Sequence, residues 1–284
     1  MLIATDLDGT FLRPDATVSA RNLAALEGAE AAGVHVVPVT GRAIGGLRIL
    51  GPVFRQYALV SNGAVGVDLS TGATLFTKTM SASTVRAYVD RLTAEIPGTV
   101  FCAEIGDSSV FLVEDGYDDI VPPFESKNDP AEHVLVSRDE LCSTEAVKLM
   151  IVHPSVPAAE VYERSRLLDT PGVHSTWAGF TVTEAGPAGV TKASGLEHIC
   201  KALGQDRADV VALGDGANDV EMLQWAGTSY AMGWCEAGGR RRCRSAGTFV
   251  RRRRIRRCRR EDLGIPITSQ CVHRDRSRRD PADP

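Results

Sequence analysis

The chain opens on a short unbroken apolar run, "MLIAT", that stops at an acidic turn, "DLDG". An apolar run of that length bounded by a turn is the pattern of a strand buried on both faces. "SARNLAALEGAEAAG" then predicts a helix, with Ser19 as N-cap and Gly33 just past the C-terminus. "VHVVPVTGR" predicts a strand ending at Thr40, in which Pro38 is awkward because proline brings no ladder N–H. "YALVSNGA" predicts another, stopped by Asn62-Gly63. Strands alternating with helices imply βαβ units and a parallel sheet whose ligands gather at the strands' C-terminal ends.

From about residue 81 the rhythm changes. "STVRAYVDRLTAEI" places Val85, Val89, Leu92 and Ile96 on one helical face. The runs "TVFCAEI", "SVFLVE" and "AVKLMIVH" follow, then a helix near "AAEVYERSRLL" and strands "VHSTWAG" and "FTVTE". Neighbouring strands without intervening helices predict an α+β insertion with its own sheet. The doubly wound pattern resumes near residue 188 with the helix "TKASGLEHICKALG", the strand–turn–helix "DVVALGDGANDVEML" and the strand "SYAMG". The expected architecture is α/β: a doubly wound, Rossmann-like parallel-sheet core over residues 1–80 and 188–233, split by an inserted domain over 81–187.

At 43% hydrophobic and 24% charged residues, the 284-residue chain has the composition of a soluble globular protein. It contains no apolar run near the about 20 residues that span a bilayer. No basic segment precedes an apolar one at the N-terminus, so the cytoplasm is the expected compartment and no membrane partner is expected. The seven cysteines form no C-x-x-C pair and read as buried or incidental thiols. The net charge of −4 conceals a division: residues 240–284 hold 16 arginines and five acids, leaving −15 on residues 1–239.

Within that acidic portion, Asp6 and Asp8 sit two residues apart after the first strand, so an extended chain aims both carboxylates to one side. Such a pair is unfavourable unless a cation or shared proton relieves it. "GDGAND" repeats the placement, a strand followed by Asp215, Asn218 and Asp219. If both strands share one parallel sheet, Asp6, Asp8, Asp215 and Asp219 converge, and an oxygen-only set favours Mg²⁺. An EF-hand calcium loop is excluded, because counting from Asp6 puts Phe11 and Thr17 where Gly and Glu are required. "GPAGVTK" lacks the glycine spacing of a P-loop, and Asp219 replaces the third glycine of a dinucleotide fingerprint. Thr40 and the Gly41 N–H lie between strand and helix, where anions bind. Lys192 follows the N-cap Thr191, a position where a cation opposes the helix dipole, which points to use elsewhere.

"DLDGTFL", "VTGR", "GVTKASGLEHI" and "GDGANDVEML", in this order, resemble the four motifs of the haloacid dehalogenase superfamily. The insertion between the second and third resembles the cap of its Cof-type (subclass IIB) sugar-phosphate phosphatases. The resemblance implies that Asp6 is a nucleophile forming an aspartyl-phosphate and that Asp8 is the general acid and base. It implies that Thr40, Gly41, Lys192 and Asn218 hold phosphate, and that Asp6, the Asp8 carbonyl and Asp215 bind Mg²⁺. Asp219 would steady Lys192 or the metal shell. The implied partner is a small phosphorylated metabolite, a sugar phosphate before flavin mononucleotide or pyridoxal phosphate.

Arg42 is a residue that faces substrate or a solvated charge, and Glu184, at the return from the insertion, is the cap-side substrate candidate. Asn62 serves a turn with positive φ. His35, His133, His153, His174 and His198 share no spacing, and Trp177 and Phe180 are expected to fill the insertion's core. The resemblance stops after "SYAMG", and residues 234–284 form an atypical arginine-rich tail. Arginine with stray Cys and Trp is what a GC-rich gene yields when read one base off. That origin is preferred to a nucleic-acid or membrane arm or a disordered appendage, and nucleic acid is not an expected partner. A phosphomutase of the same fold and a nucleic-acid-binding protein are the alternative functions; the oligomeric state is open between monomer and homodimer.

Overall fold

The computed structural model describes residues 1–48, 50–121, 133–177 and 181–232, together with the backbone of Thr248–Phe249. Phe180 of the insertion, and the arginine-rich tail apart from Thr248–Phe249, lie outside the described residues.

The first part of the core runs β1 (Leu2–Thr5), α1 (Ala20–Ala31), β2 (His35–Pro38), α2 (Ile44–Arg48), β3 (Tyr57–Val60), β4 (Val65–Asp68) and β5 (Ala73–Thr77). Ser19 caps α1 by accepting from the Asn22 N–H at 3.0 Å. The inserted part runs α3 (Ala82–Glu95), β6 (Val100–Ile105), β7 (Val110–Val113), α4 (Tyr117–Ile120), β8 (His133–Leu135), α5 (Arg138–Cys142), β9 (Lys148–Val152), α6 (Ala158–Ser165), β10 (Val173–Thr176) and β11 (Thr183–Pro187). The chain then returns through α7 (Lys192–Ala202), β12 (Val210–Gly214), α8 (Val220–Trp225), β13 (Thr228–Ala231) and β14 (Thr248–Phe249).

β1 is an interior strand of the core sheet, which is ordered β14-β13-β12-β1-β2. It pairs in parallel with β12, Thr5 opposite Leu213, and with β2, Thr5 opposite Pro38. Its buried residues explain the unbroken apolar run: Leu2 and Ala4 pack with Val37, Leu196, Ile199, Val210 and Met222 on one face. Leu7, Leu26, Val36, Ile44 and Leu47 fill the other. Pro38 is tolerated for a geometric reason. The Val39 N–H donates to Thr5 and the Thr40 N–H to Leu59, so by strand alternation the donor that Pro38 lacks would face β3. The β2–β3 pairing is accordingly a single parallel bridge, Val39 to Leu59. β3, β4 and β5 form a separate antiparallel sheet; β4 and β5 carry no pattern that predicted them, since β5 is largely exposed.

The insertion builds a six-stranded sheet, β10-β11-β9-β6-β7-β8. Its pairs are antiparallel except β7 with β8. Val85, Val89, Leu92 and Ile96 of the predicted helical face are buried against it, with Tyr88 added. Trp177 departs from its predicted place. It is half-buried, with its ring 6.3 Å from that of Tyr162, because β10 is the sheet's edge strand. Cys102, Cys142 and Cys200 are buried free thiols. Among the described residues no helix is long and apolar enough to cross a membrane.

The start of α7 is pressed against the turn after β3 by glycine. A Cβ on Gly195 would lie 2.6 Å from the Gly63 carbonyl oxygen and 2.8 Å from its Cα. Backbone on both sides leaves nothing to rotate away, so Gly195→Ala is expected to destabilise the fold by about 1–3 kcal/mol. Gly28→Ala, inside α1 with nothing within 4 Å of a new Cβ, is expected to stabilise by about 0.5–1 kcal/mol. Thermal melts of the two variants, moving in opposite directions, check the assignment.

Candidate active site

Asp6 continues β1 by one residue, its N–H donating to the Leu213 carbonyl at 2.9 Å. That pairing sets its side chain at the sheet's C-terminal edge, next to the turn that follows β12. The turn closes on itself: Asp219 Oδ2 accepts from the N–H groups of Asp215 at 3.0 Å and Gly216 at 2.9 Å. From the first turn of α7, Lys192 reaches between the two loops. Its Nζ lies 2.6 Å from Asp6 Oδ1 and 2.6 Å from Asp219 Oδ1, and the residue is 1% exposed. Thr191, the helix N-cap, and Ser194 bond reciprocally, which fixes the direction in which α7 starts.

The electrostatics follow from burial. Desolvation pushes the Asp6 carboxyl up to about 7; Lys192 opposes this, while Asp219 and Asp215 add to it. Burial alone would lower the Lys192 ammonium, but Asp219 and Asp6 more than offset it and hold it above the ordinary lysine value. Lys192 is therefore a fixed cation, and Asp6 is the carboxyl whose charge is most expensive.

The carboxylates of Asp6, Asp215 and Asp219 bring oxygens within 4.8 Å of one another. Asp8 does not join them as the sequence predicted. It lies in the wide turn Leu7–Phe11, where Leu7 takes a helical conformation between the extended Asp6 and Asp8, so the alternation of an extended chain no longer applies. Its carboxylate turns to Arg42 instead, accepting from Nε at 2.8 Å and Nη2 at 2.7 Å. Arg42 is buried and also donates to the Gly46 carbonyl at 3.1 Å. Of the two alternatives given for it, the solvated charge is excluded by its burial, and its guanidinium forms a fork on Asp8. Thr40 is buried, and its hydroxyl accepts from the Arg42 N–H at 3.1 Å.

Asn62 has φ of 56°, the left-handed conformation predicted for it, but its amide also has partners. Asn218 Nδ2 donates to Asn62 Oδ1 at 3.0 Å, and Asn62 Nδ2 donates to Glu184 Oε2 at 2.8 Å. Glu184 thereby meets the core through Asn62. A cavity of about 560 Å³ opens between the core and the inserted sheet, with Lys192, Asn218 and Asn62 on one side and Tyr162, His174 and Glu184 on the other. Of the five histidines read as unremarkable, His174 alone lines it.

The donor set fits a hard divalent cation: it is all oxygen and gathered at one edge. Both Asp219 oxygens are engaged by Lys192 and by backbone N–H groups, which leaves Asp6 and Asp215 as the carboxylates placed to meet an ion. Thr10 Oγ1 orients Asp215 at 2.9 Å. Thr10, Ser61, Glu104, Ser108 and Lys148 were not singled out in the sequence. A lysine inside the apolar run "AVKLMIVH" and a glutamate inside "TVFCAEI" were available signals, since a buried charge demands a partner.

Residues 3–237 match the family model of haloacid dehalogenase-like hydrolases. The chain is 30% identical over 247 residues to a 5-amino-6-(5-phospho-D-ribitylamino)uracil phosphatase of Bacillus subtilis, covering 82% of this chain and 86% of that one. It is 27% identical over 237 residues to an Escherichia coli protein of the same name, covering 81% and 84%. Among solved structures, SMU.1108c of Streptococcus mutans superposes with a TM-score of 0.70 at 20% identity, over 81% of this chain and 86% of that one. The subclass IIB sugar phosphatase BT4131 superposes with a TM-score of 0.65 at 19% identity, over 80% and 85%. With the motif residues assembled at one sheet edge and the family matched over most of its length, the chain belongs to the haloacid dehalogenase-like hydrolases, in their Cof-type phosphatase branch.

Proposed function

We propose that this phosphatase hydrolyses small phosphomonoesters, sugar phosphates foremost, with Mg²⁺ and through an aspartyl-phosphate. The observation that carries the reading is Lys192, held at 2.6 Å by both Asp6 and Asp219 while it lines the cavity. An ammonium has three donors, and two of these aim Asp6 and anchor the cation, so the third can meet a phosphoryl oxygen. Asp6 attacks phosphorus and the ester P–O bond breaks, while Asp8 gives its proton to the departing alcohol. Asp8 then takes a proton from water, which attacks the same phosphorus, breaks the bond to Asp6 and frees phosphate. Arg42 aims the Asp8 carboxylate, and Thr40, Gly41 and Asn218 supply donors as charge builds on the phosphoryl oxygens.

Asp6, Asp215 and Asp219 against Lys192 leave two surplus negative charges before a phosphate dianion arrives. A Mg²⁺ held by Asp6, Asp215 and the Asp8 carbonyl would neutralise them and draw charge from the phosphoryl group. Two relatives are named for a ribityl phosphate carried on a nitrogen heterocycle, and that compound is worth trying beside sugar phosphates, flavin mononucleotide and pyridoxal phosphate.

Phosphate release from this panel is expected to require Mg²⁺ and to fall by on the order of 10³-fold or more in Asp6→Asn. Equal release by both proteins ends the covalent mechanism, and conversion of a sugar phosphate to its isomer without free phosphate transfers the reading to a mutase. Deleting residues 240–284 is expected to leave activity in place; any nucleic-acid binding lost with them belongs to the tail alone.

The pH dependence has a definite sign. With Asp6 near about 7 when folded and 3.8 as its ordinary value, the folded metal-free protein holds a proton that the unfolded chain has lost between those limits. Stability contributed by this group therefore falls as pH rises from about 4 to about 7. Asp6→Asn has no such loss, so its melting temperature relative to wild type is expected to climb between pH 5 and pH 8 in EDTA. Mg²⁺ is expected to raise the wild-type melting temperature more at pH 8 than at pH 5, and to raise that of the variant less.

A further inference from the structure

We propose that Lys148 and Glu184, both carried by the inserted sheet, are positioning residues for the phosphate-binding loops of the core, so that docking of the insertion completes the site as well as covering it. The inference rests on the phosphatase reading above and concerns how that site is held.

Lys148 opens β9 and is buried, 4% exposed. Its Nζ donates to the Gly41 carbonyl at 2.7 Å and to Glu184 Oε1 at 2.8 Å, and it pairs with Glu104 Oε2 at 3.3 Å. Burial alone would lower this ammonium, but Glu184 and Glu104 raise it above the ordinary value, so it is a permanent cation. Two of its donors are spent on the protein, on the Gly41 carbonyl and on Glu184, with Glu104 beside it as an ion pair. Lys148 also borders the cavity, so positioning and reading of the leaving group are told apart by kcat against KM.

Its acceptors matter more than its charge. The Asn62 N–H holds the Thr40 carbonyl at 2.9 Å, and Lys148 holds the Gly41 carbonyl. Both peptides flanking Gly41 are thereby fixed: because a trans peptide points its N–H away from its C=O, the Asn62 contact sets the direction of the Gly41 N–H and the Lys148 contact that of the Arg42 N–H, which donates to the Thr40 hydroxyl. A Cβ on Gly41 would meet Asn62 Oδ1 at 2.9 Å, so the loop and the Asn62 amide are in direct register.

Glu184 acts on the neighbouring loops. It receives Asn62 Nδ2, and Asn62 Oδ1 receives Asn218 Nδ2. Glu104 accepts from the hydroxyls of Ser61 and Ser108, and Ser108 Oγ accepts from the Ile44 N–H at 3.2 Å. The loop after β2 is thus tied to Lys148, the loop after β3 to Glu184 and Glu104, and the loop after β12 to Glu184 through the Asn62 amide. Burying three charges where apolar contact would give adhesion is unfavourable unless their geometry is used.

The test compares the full-length wild type with Lys148→Met and Asn62→Gly. Glycine adopts the φ of 56° without strain, so the second variant removes the bridging amide and keeps the turn. Each protein is assayed with Mg²⁺ on acetyl phosphate, too small to reach the inserted sheet, and on the best sugar phosphate. Inhibition is measured with orthovanadate, which takes the five-coordinate geometry of a phosphoryl group in transfer. Both variants are expected to lose about 10–100-fold in kcat, by the same factor on both substrates, with KM changed less than about threefold and vanadate weakened in parallel. A loss confined to the sugar phosphate and expressed in KM overturns the proposal, since these residues would then bind the leaving group. Unchanged kcat and vanadate inhibition in both variants overturn it as well. If Lys148→Met fails to fold, Lys148→Met/Glu104→Gln removes the acid left unpaired and, with Asn62→Gly, decides on the same criteria. A wild type that cleaves neither substrate and ignores vanadate overturns the phosphatase reading and this inference together, whereas a normal wild type beside normal variants overturns the inference alone.

Discussion

A buried ammonium must be surrounded by acceptors or it will not stay buried, and Lys192 meets that demand with two carboxylates from distant parts of the chain. Asp6 stands at the end of the first strand, Asp219 at the start of the last described helix, and Lys192 at the start of α7. Satisfying the lysine therefore requires β1 beside β12 and α7 packed across their ends. The parallel register of Thr5 with Leu213 supplies the first condition, and the glycine contact between Gly195 and the turn after β3 supplies the second. The chemistry and the topology share these contacts, so a change that shifts α7 alters the charge state of Asp6 as well as its position.

Two acids close together in sequence normally repel, and here the conflict is settled by giving each its own cation. Asp6 faces Lys192 and Asp8 faces Arg42. The wide turn at Leu7–Phe11 makes this possible by rotating Asp8 out of the strand's alternation. Each carboxyl thereby has a buried cation of its own although only one residue separates the two in sequence.

Most of the core was legible because parallel strands buried on both faces leave unbroken apolar runs, and because the acidic turns after β1 and β12 sit at fixed places relative to those runs. The insertion's sheet was legible for a similar reason, down to Val85, Val89, Leu92 and Ile96 on one face of α3. What escaped was whatever depends on long-range partners. β5 is exposed and has no pattern of its own. Trp177 is large and apolar, but β10 lies at the sheet edge, where half-burial is all it can reach. The side-chain roles of Asn62 and Lys148 depend on residues more than 100 positions away, Glu184 and Gly41. Local periodicity carries no information at that distance.

The structure uses one device twice. Lys192 and Lys148 are each buried lysines held by two acidic residues, and both are kept charged by them. They differ in what else they hold. Lys148 donates to the Gly41 carbonyl, which ties the insertion to the core, although it borders the same cavity. Lys192 hydrogen-bonds its two carboxylates and stands in the cavity wall. The same kind of buried cation thus serves as a structural tie in one place and, in the proposed mechanism, as a phosphate-binding group in the other. A short chain of amides, Glu184 to Asn62 to Asn218, connects the first with the loop that carries the acids of the second.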